Sequence, residues 1–316
     1  MDNDYSAKMK NEIRHYEKIF KNRMSQEVPP VWLKVEKYFA DCIEKVTGVC
    51  NLYQYVARHV KGKSAVSILG LGSGTCGNEL DGIAPLLKQQ GCTINLTCLD
   101  INEAILDQAL IESEKRGVHF IPMVQDVNKI KLDFEEYDII VAYASLHHFI
   151  ELEHIAKEIN KSLKKDGIFV TVDIPTRNGY KMWDNTYEVV KSIWRVLPPK
   201  YKITQSGFFG SAFEEEFKNI DYSVNSFECI NSEAILPALR KHLKEIHFVP
   251  SLSIARRFFD TKFGYNYDLT DAMDLSIFDF IITQLSQLTK PQAYAALRSS
   301  RSCIKPGSFS MNAVKI

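Results

Sequence analysis

Residues 66–80 read Val66-Ser-Ile-Leu-Gly70-Leu-Gly72-Ser-Gly74-Thr-Cys-Gly77-Asn-Glu-Leu80, an apolar run that breaks into four glycines and then becomes polar. Glycines at such a break let the backbone turn tightly, and they let a ligand approach the main chain where a Cβ would collide. The free N–H groups at the start of the following helix face the same space, which suits a nucleotide-like cofactor. We therefore predict a strand, a ligand-binding glycine turn and a helix.

Short apolar runs alternate with amphipathic helical segments on both sides of this turn. The apolar runs cover residues 66–69, 94–99, 119–124, 137–143 and 167–172, and the helical segments cover 78–90, 102–116 and 152–163. Near-continuous apolar strands separated by helices are typical of a parallel sheet that is covered on both faces. Residues 63–175 are therefore predicted to form a doubly wound α/β core, with its ligand crevice at the carboxyl ends of the strands.

The flanking regions predict helices that cover this core. Apolar residues recur at helical spacing before it, which predicts an N-terminal helical lid over residues 1–62. A similar pattern that ends at two prolines predicts a helical cap over 176–245, and residues 246–300 are predicted to complete the core sheet. The glycine-bracketed stretch 207–210 is either a mobile flap or a static turn, and residues 301–316 form a tail.

The composition excludes several classes of protein. The chain has 316 residues, 45% of them hydrophobic and 25% charged, which is typical of a globular protein. Lys plus Arg equals Asp plus Glu at 39 each, so no net field favours nucleic acid or a membrane surface as a partner. The sequence also lacks an apolar run of about 18 residues and an apolar signal-peptide core, which predicts a cytoplasmic protein. A homodimer is left open.

The seven cysteines have no spacing that indicates a metal site. Their number is odd, and they include neither a CxxC pair nor a Cys/His cluster at zinc spacing. We therefore predict reduced thiols and no metal site.

Polar residues follow each predicted strand where ligands of α/β proteins bind. The second run ends in Asp100, where a carboxylate can accept both hydroxyls of a ribose. The third ends in Asp126 and Val127, which suit an adenine amino group and ring face. The fourth ends in the segment 143–149, Tyr-Ala-Ser-Leu-His-His-Phe. The glycine turn also fits the GxGxxG fingerprint, so a nicotinamide-dependent oxidoreductase is the alternative.

These motifs together resemble the class I S-adenosylmethionine-dependent methyltransferases. The resemblance runs from residue 64 to 173, through LGLGSGT, the strand-end acid, the Asp-Val pair, YDIIVAYASLHHF and LKKDGIFVTVD. The later segments VDIPTRNGYKMW and FECINSEAILP are similar to a bacterial subgroup of small-molecule methyltransferases of type 11/12. The resemblance implies S-adenosylmethionine as the cofactor. It implies the following cofactor-binding residues: Gly70, Leu71, Gly72, Ser73, Gly74, Asp100, Ile101, Asp126, Val127 and Ala144.

One position departs from the family pattern. Members usually carry an acidic residue where this chain has Gly70, and often a glycine where it has Cys76. The usual acid lies near the ammonium group of the cofactor, so its absence moves that contact elsewhere or weakens binding. A protein that binds the cofactor without turning it over is therefore a second alternative.

The implied reaction is methyl transfer to a hydroxyl or amine of a small organic molecule. A hydroxyl acceptor must lose a proton, and a neutral imidazole is a suitable base near neutral pH. His147 is the first candidate for this role and His148 the second. The predicted acceptor-binding residues are Tyr143, His147, Arg177, Tyr180 and Trp183.

Overall fold

The computed structural model describes residues 2–21, 28–206, 210–251, 253–286 and 292–299. The helices are α1 (Asp2–Lys21), α2 (Trp32–Thr47), α3 (Leu52–His59), α4 (Ala84–Gln89), α5 (Glu103–Lys115), α6 (Leu152–Ser162), α7 (Asp184–Val196), α8 (Ile235–His242) and α9 (Ala272–Ser286). The strands are β1 (Ala65–Leu71), β2 (Thr93–Asp100), β3 (His119–Val124), β4 (Tyr137–Tyr143), β5 (Leu163–Asp173), β6 (Ile203–Ser206), β7 (Gly210–Phe213), β8 (Leu243–Ser251) and β9 (Gln292–Ser299). Short 3₁₀ turns join several of them, and a π-helical turn, Asn78–Ile83, leads into α4.

Seven strands form the central sheet in the order β3-β2-β1-β4-β5-β9-β8. Strands β1 to β5 are parallel, and β9 lies antiparallel between β5 and β8. The register aligns Leu71 of β1 with Leu99 of β2, and Asp100 with Val124 of β3. The strand exits therefore meet at one edge of the sheet, where ligands of doubly wound folds bind. The predicted doubly wound α/β core is confirmed.

Each face of the sheet carries its own apolar core. Ile68 of β1 packs with residues of α3 and α4 on one face, whereas Leu69 and Leu71 pack with α6 and α8 on the other. This alternation follows from the period of two in a strand, which sends successive side chains to opposite faces. Strand β1 is thus buried on both faces over most of its length, as its near-continuous apolar sequence indicated.

A third apolar cluster lies in the helical cap. It joins α7 and α9 to the start of α2 through Val35, Trp194, Phe258 and Ile281. The indole N–H of Trp194 donates to the carbonyl oxygens of Glu214 (3.2 Å) and Glu215 (3.1 Å), which satisfies its polar group. The cap is therefore a packed unit above the sheet.

The predicted elements agree with the structure except at a few places. The helix predicted over 78–90 begins as a π-helical turn, and the hairpin of β6 and β7 was not predicted. The stretch 207–209 of the predicted flap and the tail 301–316 lie outside the described residues. Among the described helices, none has both the length and the apolar character that a membrane span requires.

Candidate functional site

The glycine turn after β1 is fixed by the neighbouring strand. The N–H of Gly72 donates to the Leu99 carbonyl at 2.8 Å, and the N–H of Ser73 donates to the same oxygen at 3.3 Å. Gly72 and Gly74 have φ of 63° and 53°, a left-handed conformation that favours glycine. A Cβ on Gly74 would meet nothing within 4 Å, so open space lies in front of this backbone. The turn therefore offers a bare cradle to a ligand.

The space that an acid at residue 70 would need is filled by Glu79. A Cβ on Gly70 would collide with Ser73 Oγ and would lie 2.5 Å from Glu79 Oε1. The Ser73 hydroxyl donates to Glu79 Oε1 at 3.0 Å, and the Glu79 side chain is buried. Burial raises the pKa of the Glu79 carboxyl to about 7. The glycine at position 70 is thus explained by a carboxyl group that reaches the same place from the following helical turn.

Cys76 has a positive φ of 56°, which accounts for the glycine that the family often has there. The residue is fully buried and packs in the core beneath the turn. A non-glycine residue in this conformation costs about 1–2 kcal/mol. The turn is therefore built with some local strain.

Asp100 ends β2 directly beside the glycine turn. Its Oδ2 accepts the N–H of Gly74 at 2.9 Å, and its Oδ1 accepts the N–H of Asn102 at 3.0 Å. Each carboxylate oxygen has two lone pairs, so both oxygens keep the capacity for another donor. Burial raises the pKa of Asp100, while these backbone donors partly offset the shift. The carboxylate is thus held in place with room for two ligand hydroxyls.

Asp126 follows β3 and is tied to the N-terminal helix. Its Oδ2 accepts the Tyr5 hydroxyl at 2.8 Å, and its Oδ1 accepts the N–H of Asn128 at 3.0 Å. Burial opposes the charged form of Asp126, but Tyr5, Asn128 and Lys129 outweigh it and hold the pKa below its usual value. Asp126 therefore stays charged and anchors α1 over the strand exits.

These elements enclose a cavity of about 370 Å³, which we call the cofactor cavity. Its floor consists of the strand exits and the loops after them. Its roof is the face of α1 that carries Met9, Glu12, Ile13 and Tyr16. Of the predicted cofactor-binding residues, the cavity is lined by Gly72, Ser73, Gly74, Asp100, Ile101, Asp126, Val127 and Ala144. Gly70 faces Glu79 instead, and Leu71 is buried in the core.

A second cavity of about 520 Å³, which we call the acceptor cavity, adjoins the first. Glu12, Tyr16 and His148 line both cavities, so the two spaces meet at these side chains. The remaining lining mixes rings with charged groups: Tyr180, Phe217, Tyr222, Phe263, Glu214, Glu216, Glu228, Lys218, Arg257, Asp260 and Lys262 are among its members. The lining of the acceptor cavity is therefore both aromatic and charged.

Two histidines and three carboxylates meet at this junction. The side chains of His147 and His148 follow β4, Asp173 ends β5, Glu12 comes from α1, and Glu228 comes from the cap. His147 Nδ1 lies 2.7 Å from Asp173 Oδ1, and His148 Nδ1 lies 2.8 Å from Glu12 Oε1. We call these five residues the junction cluster.

The two histidines, predicted as the first and second candidates for the base, are held differently. The His147 side chain is only 6% exposed, and the Asp173 behind it also accepts the N–H groups of Ser145 and Leu146. His148 reaches both cavities. Burial would lower the pKa of His148, but the carboxylates of Glu12, Glu228 and Asp173 outweigh it and raise that pKa. His148 is thus the histidine that lines both cavities, although its raised pKa favours the protonated ring.

Only part of the predicted acceptor site comes together. Tyr180 lines the acceptor cavity, where the Arg257 guanidinium lies 5.1 Å from its ring centroid. Arg177 instead pairs with Asp184 at 2.9 Å and stacks on Trp183, which is 48% exposed. Neither Arg177, Trp183 nor Tyr143 is among the described residues that line the two cavities.

Sequence reasoning missed the roof of the cofactor cavity. Met9, Ile13 and Tyr16 stand at intervals of four and three residues, a helical stripe that could have indicated one buried face. The aromatic residues of α3 do not form this roof: Tyr55 packs in the core, and the Tyr53 hydroxyl donates to Asn78 Oδ1 at 2.6 Å.

Comparison with known proteins agrees with this geometry. Residues 69–171, about a third of the chain, match the model of the methyltransferase domain family Methyltransf_11. The chain is similar to the solved geranyl diphosphate C-methyltransferase of Streptomyces coelicolor A3(2), crystallised with Mg²⁺, geranyl-S-thiolodiphosphate and S-adenosyl-L-homocysteine. That likeness has 12% identity over 78% of this chain and 74% of the other, with a TM-score of 0.44.

Two further solved structures are similar at the same level. A putative sarcosine dimethylglycine methyltransferase from Galdieria sulphuraria has 11% identity over 78% of this chain and 83% of its own, with a TM-score of 0.44. An S-adenosylmethionine-dependent methyltransferase from Mesorhizobium loti has 13% identity over 78% of this chain and 96% of its own, with a TM-score of 0.42.

The family match makes residues 69–171 a methyltransferase domain, and the sheet order and the glycine turn agree with an S-adenosylmethionine-binding fold. The protein is an enzyme that uses S-adenosylmethionine as its methyl donor. This assignment decides against the nicotinamide-dependent alternative, which shares only the glycine turn and the strand-end acid.

Proposed function

We propose that the enzyme transfers the methyl group to a hydroxyl or amine of a small polar molecule bound in the acceptor cavity. The observation that carries this proposal is the contact between the two cavities at Glu12, Tyr16 and His148. A methyl donor in one cavity and an acceptor in the other would meet at these side chains. The proposal therefore assigns the methyl donor to the cofactor cavity and the methyl acceptor to the acceptor cavity.

The cofactor cavity fits S-adenosylmethionine through groups that already stand in place. The open backbone at Gly74 suits the methionine moiety, and Asp100 has free acceptor capacity for the two ribose hydroxyls. Val127 lines the same cavity and would offer an apolar face to the adenine ring, whereas the Asp126 carboxylate is bound by Tyr5, Asn128 and Lys129 and would accept the adenine amino group in place of one of them. The bound cofactor supplies an activated methyl group, since its sulfur is a sulfonium that leaves as the new bond to the acceptor forms.

The acceptor cavity favours a molecule with several polar groups. Its volume of about 520 Å³ lies within the usual range for small-molecule sites. Within it, Glu214 is neutralised by Lys218 at 2.9 Å and Lys262 at 3.2 Å, so these groups form a fixed network of donors and acceptors. Rings such as Phe217 and Tyr222 supply apolar faces beside this network. Such a lining orients a compact molecule through both kinds of contact.

Alignment is the main task of the protein in this reaction. Holding two reactants in attack geometry lowers a barrier by roughly 7–11 kcal/mol, whereas a positioned base adds about 10²–10⁴-fold in rate. Helix α1 contributes by covering the cofactor cavity and excluding water. The junction cluster contributes by accepting the proton of a hydroxyl, since His148 and Glu228 both line the acceptor cavity.

A substitution that fills the acceptor cavity tests the location of the acceptor separately from the binding of the cofactor. Asn225 lines that cavity and is exposed, so Asn225→Trp should fold normally and occupy space in the acceptor cavity. The neighbouring Val224 is 63% exposed and lies outside the described lining, which makes Val224→Trp the matched control.

The test measures S-adenosylhomocysteine released, and methylated product by mass spectrometry, over a panel of alcohols, phenols and amines. Asn225→Trp should lower kcat/KM at least tenfold and leave the affinity for S-adenosylhomocysteine unchanged within twofold. Equal turnover by both tryptophan variants and the unaltered enzyme would contradict this location of the acceptor.

A further inference from the structure

The junction cluster is more elaborate than proton transfer requires. Both histidines turn their Nδ1 atoms toward carboxylates, His147 toward Asp173 and His148 toward Glu12. Both Nε2 atoms lie near a third carboxylate, with Glu228 Oε1 at 3.9 Å from His147 and Glu228 Oε2 at 3.7 Å from His148. The two ring centroids are 4.2 Å apart. The Glu228 carboxylate thus lies within 4 Å of the Nε2 atoms of both imidazole rings.

The outer carboxylates decide which ring nitrogens carry hydrogen. A carboxylate only accepts, so Asp173, which is hydrogen-bonded to His147 Nδ1, favours the tautomer with hydrogen on that atom; the charge of Glu12, 2.8 Å from His148 Nδ1 but without hydrogen-bond geometry, favours hydrogen there as well. In neutral rings this leaves a lone pair on each Nε2, and both lone pairs lie near the acceptor oxygens of Glu228. With both rings neutral, these three acceptor groups converge without a donor between them, and either a proton on His148 or a metal ion would relieve the repulsion. A cation among them would satisfy all three.

The spacing and the charge also suit a metal ion. One ligand atom from each of His147, His148 and Glu228 lies within 4.8 Å of the others. Ligands about 2.1 Å from a tetrahedral ion are about 3.4 Å from one another, so small side-chain rotations close the gap from the present distances. The cluster contains three carboxylates, Glu12, Asp173 and Glu228, and two imidazoles that carry no charge when neutral. A divalent ion would offset part of this negative charge.

We propose that His147, His148 and Glu228 bind a divalent first-row transition-metal ion at the junction of the two cavities. Two imidazoles with one carboxylate favour ions such as Zn²⁺, Co²⁺ or Fe²⁺ over Mg²⁺ and Ca²⁺, which prefer oxygen ligands. Asp173 and Glu12 are the outer partners that orient the rings, an arrangement common at histidine metal sites.

Three protein ligands leave coordination positions open beside the acceptor cavity. With His148 and Glu228 engaged as ligands, the ion would take over their part in activating the acceptor, by holding its oxygen and lowering the pKa of its hydroxyl. This role rests on the proposed function, whereas ion binding itself does not. The sequence analysis predicted no metal site, because the two histidines are adjacent and Glu228 follows 80 residues later, a spacing unlike that of zinc motifs.

The test titrates metal-free full-length protein with Co²⁺ and follows the visible absorption of the bound ion, with Zn²⁺ and Mg²⁺ as comparison ions by calorimetry. The protein should bind one Co²⁺ per chain, and Zn²⁺ should displace it while Mg²⁺ does not. His147→Gln, His148→Gln and Glu228→Gln should each weaken binding at least 100-fold. Glu12→Gln should weaken it about 10–100-fold, as outer partners do.

The control is His119→Gln, which removes an exposed histidine at the start of β3 and should leave Co²⁺ affinity unchanged. Retained binding of S-adenosylhomocysteine by each variant shows that it is folded. The inference is overturned by absence of Co²⁺ binding, or by equal binding in the His119, His148 and Glu228 variants.

Activity measurements keep the two proposals distinguishable. Full methyl transfer by metal-free enzyme in a chelator would refute the role of the ion and leave the proposed function standing. Stoichiometric Co²⁺ binding without methyl transfer to any acceptor of the panel would support the site and refute the acceptor chemistry.

Discussion

Asp100→Asn is the substitution that most sharply tests how the cofactor is held. The carboxylate of Asp100 accepts two backbone N–H groups, from Gly74 at 2.9 Å and Asn102 at 3.0 Å, and keeps capacity on both oxygens. Asparagine has nearly the same shape but only one accepting oxygen. Its amide NH₂ then faces one backbone donor and one ligand hydroxyl that both need an acceptor.

The size of the effect follows from these contacts. A hydrogen bond to a charged group contributes about 1.5–3 kcal/mol, and one of the two ribose contacts is lost while the other loses its charge. We expect a loss of about 2–4 kcal/mol in binding, which is roughly 30- to 1,000-fold in Kd. The backbone donor left unpaired should also lower the free energy of unfolding by about 1–3 kcal/mol.

Titration calorimetry with S-adenosylhomocysteine at low temperature, where all variants are folded, measures the affinity. Asp107→Asn is the matched control, because Asp107 is exposed on the helix that follows Asp100. Burial raises the pKa of Asp100, so this carboxylate becomes protonated at a higher pH than an ordinary aspartate. When the solution is acidified, the unaltered protein should therefore begin to lose affinity for S-adenosylhomocysteine at that higher pH. Binding by Asp100→Asn within twofold of the control would refute the proposed ribose contact.

Three other predictions concern the turn and its roof. Glu79→Gln should change the pH dependence of stability. Burial raises the pKa of the Glu79 carboxyl from 4.5 to about 7, so the folded protein favours its protonated form. The resulting contribution to stability is complete below pH 4.5 and is lost as the pH rises through 7. Unaltered protein should therefore lose about 3 kcal/mol of unfolding free energy from this group between pH 4.5 and 8, and urea titrations should show the loss absent in Glu79→Gln. Gly70→Asp should destabilise the protein by about 1–3 kcal/mol, because its Cβ would collide with Ser73 and Glu79, and adding Glu79→Ala should recover at least half of that loss; no recovery in the urea midpoint would mean that Glu79 does not fill the space. Tyr5→Phe removes the hydroxyl that donates to Asp126 and accepts from Asn128, so stopped-flow measurements should show S-adenosylhomocysteine leaving about 3- to 10-fold faster, and an unchanged rate would argue against α1 as the roof.

The sheet and its strand exits were predictable because they depend on local patterns. Apolar runs separated by helices require a parallel sheet, and parallel strands bring their carboxyl ends to one edge. Asp100 and Asp126 each follow such a run, so their meeting near the glycine turn follows from periodicity alone. The same reasoning explains why Ala144, at the exit of β4, lies at the cofactor cavity.

The rest of the site depends on contacts between distant segments. Helix α1 reaches the strand exits through Tyr5 and Asp126, which are 121 residues apart, and no periodicity specifies where a covering helix docks. How each of the two histidines is held depends on which carboxylate lies behind its ring. Glu228 arrives from the cap, so the junction cluster emerges only when the cap folds over the sheet.

The glycine at position 70, where the family usually has an acid, shows a third reason why part of the site could not be predicted from the sequence. The sequence displays the absence of the usual acid but not the side chain that takes its place. Glu79 does so only because a π-helical turn brings it back over β1. Helix prediction from periodicity assumes the α-helical pitch, and a change of pitch moves a side chain to another neighbour.

A crystal structure with S-adenosylhomocysteine would show where the cofactor lies. We expect the ribose hydroxyls on Asp100, the adenine between Asp126 and the roof of α1, and the sulfur directed toward His148. Density for the nucleoside away from the exits of β1, β2 and β3 would contradict this placement.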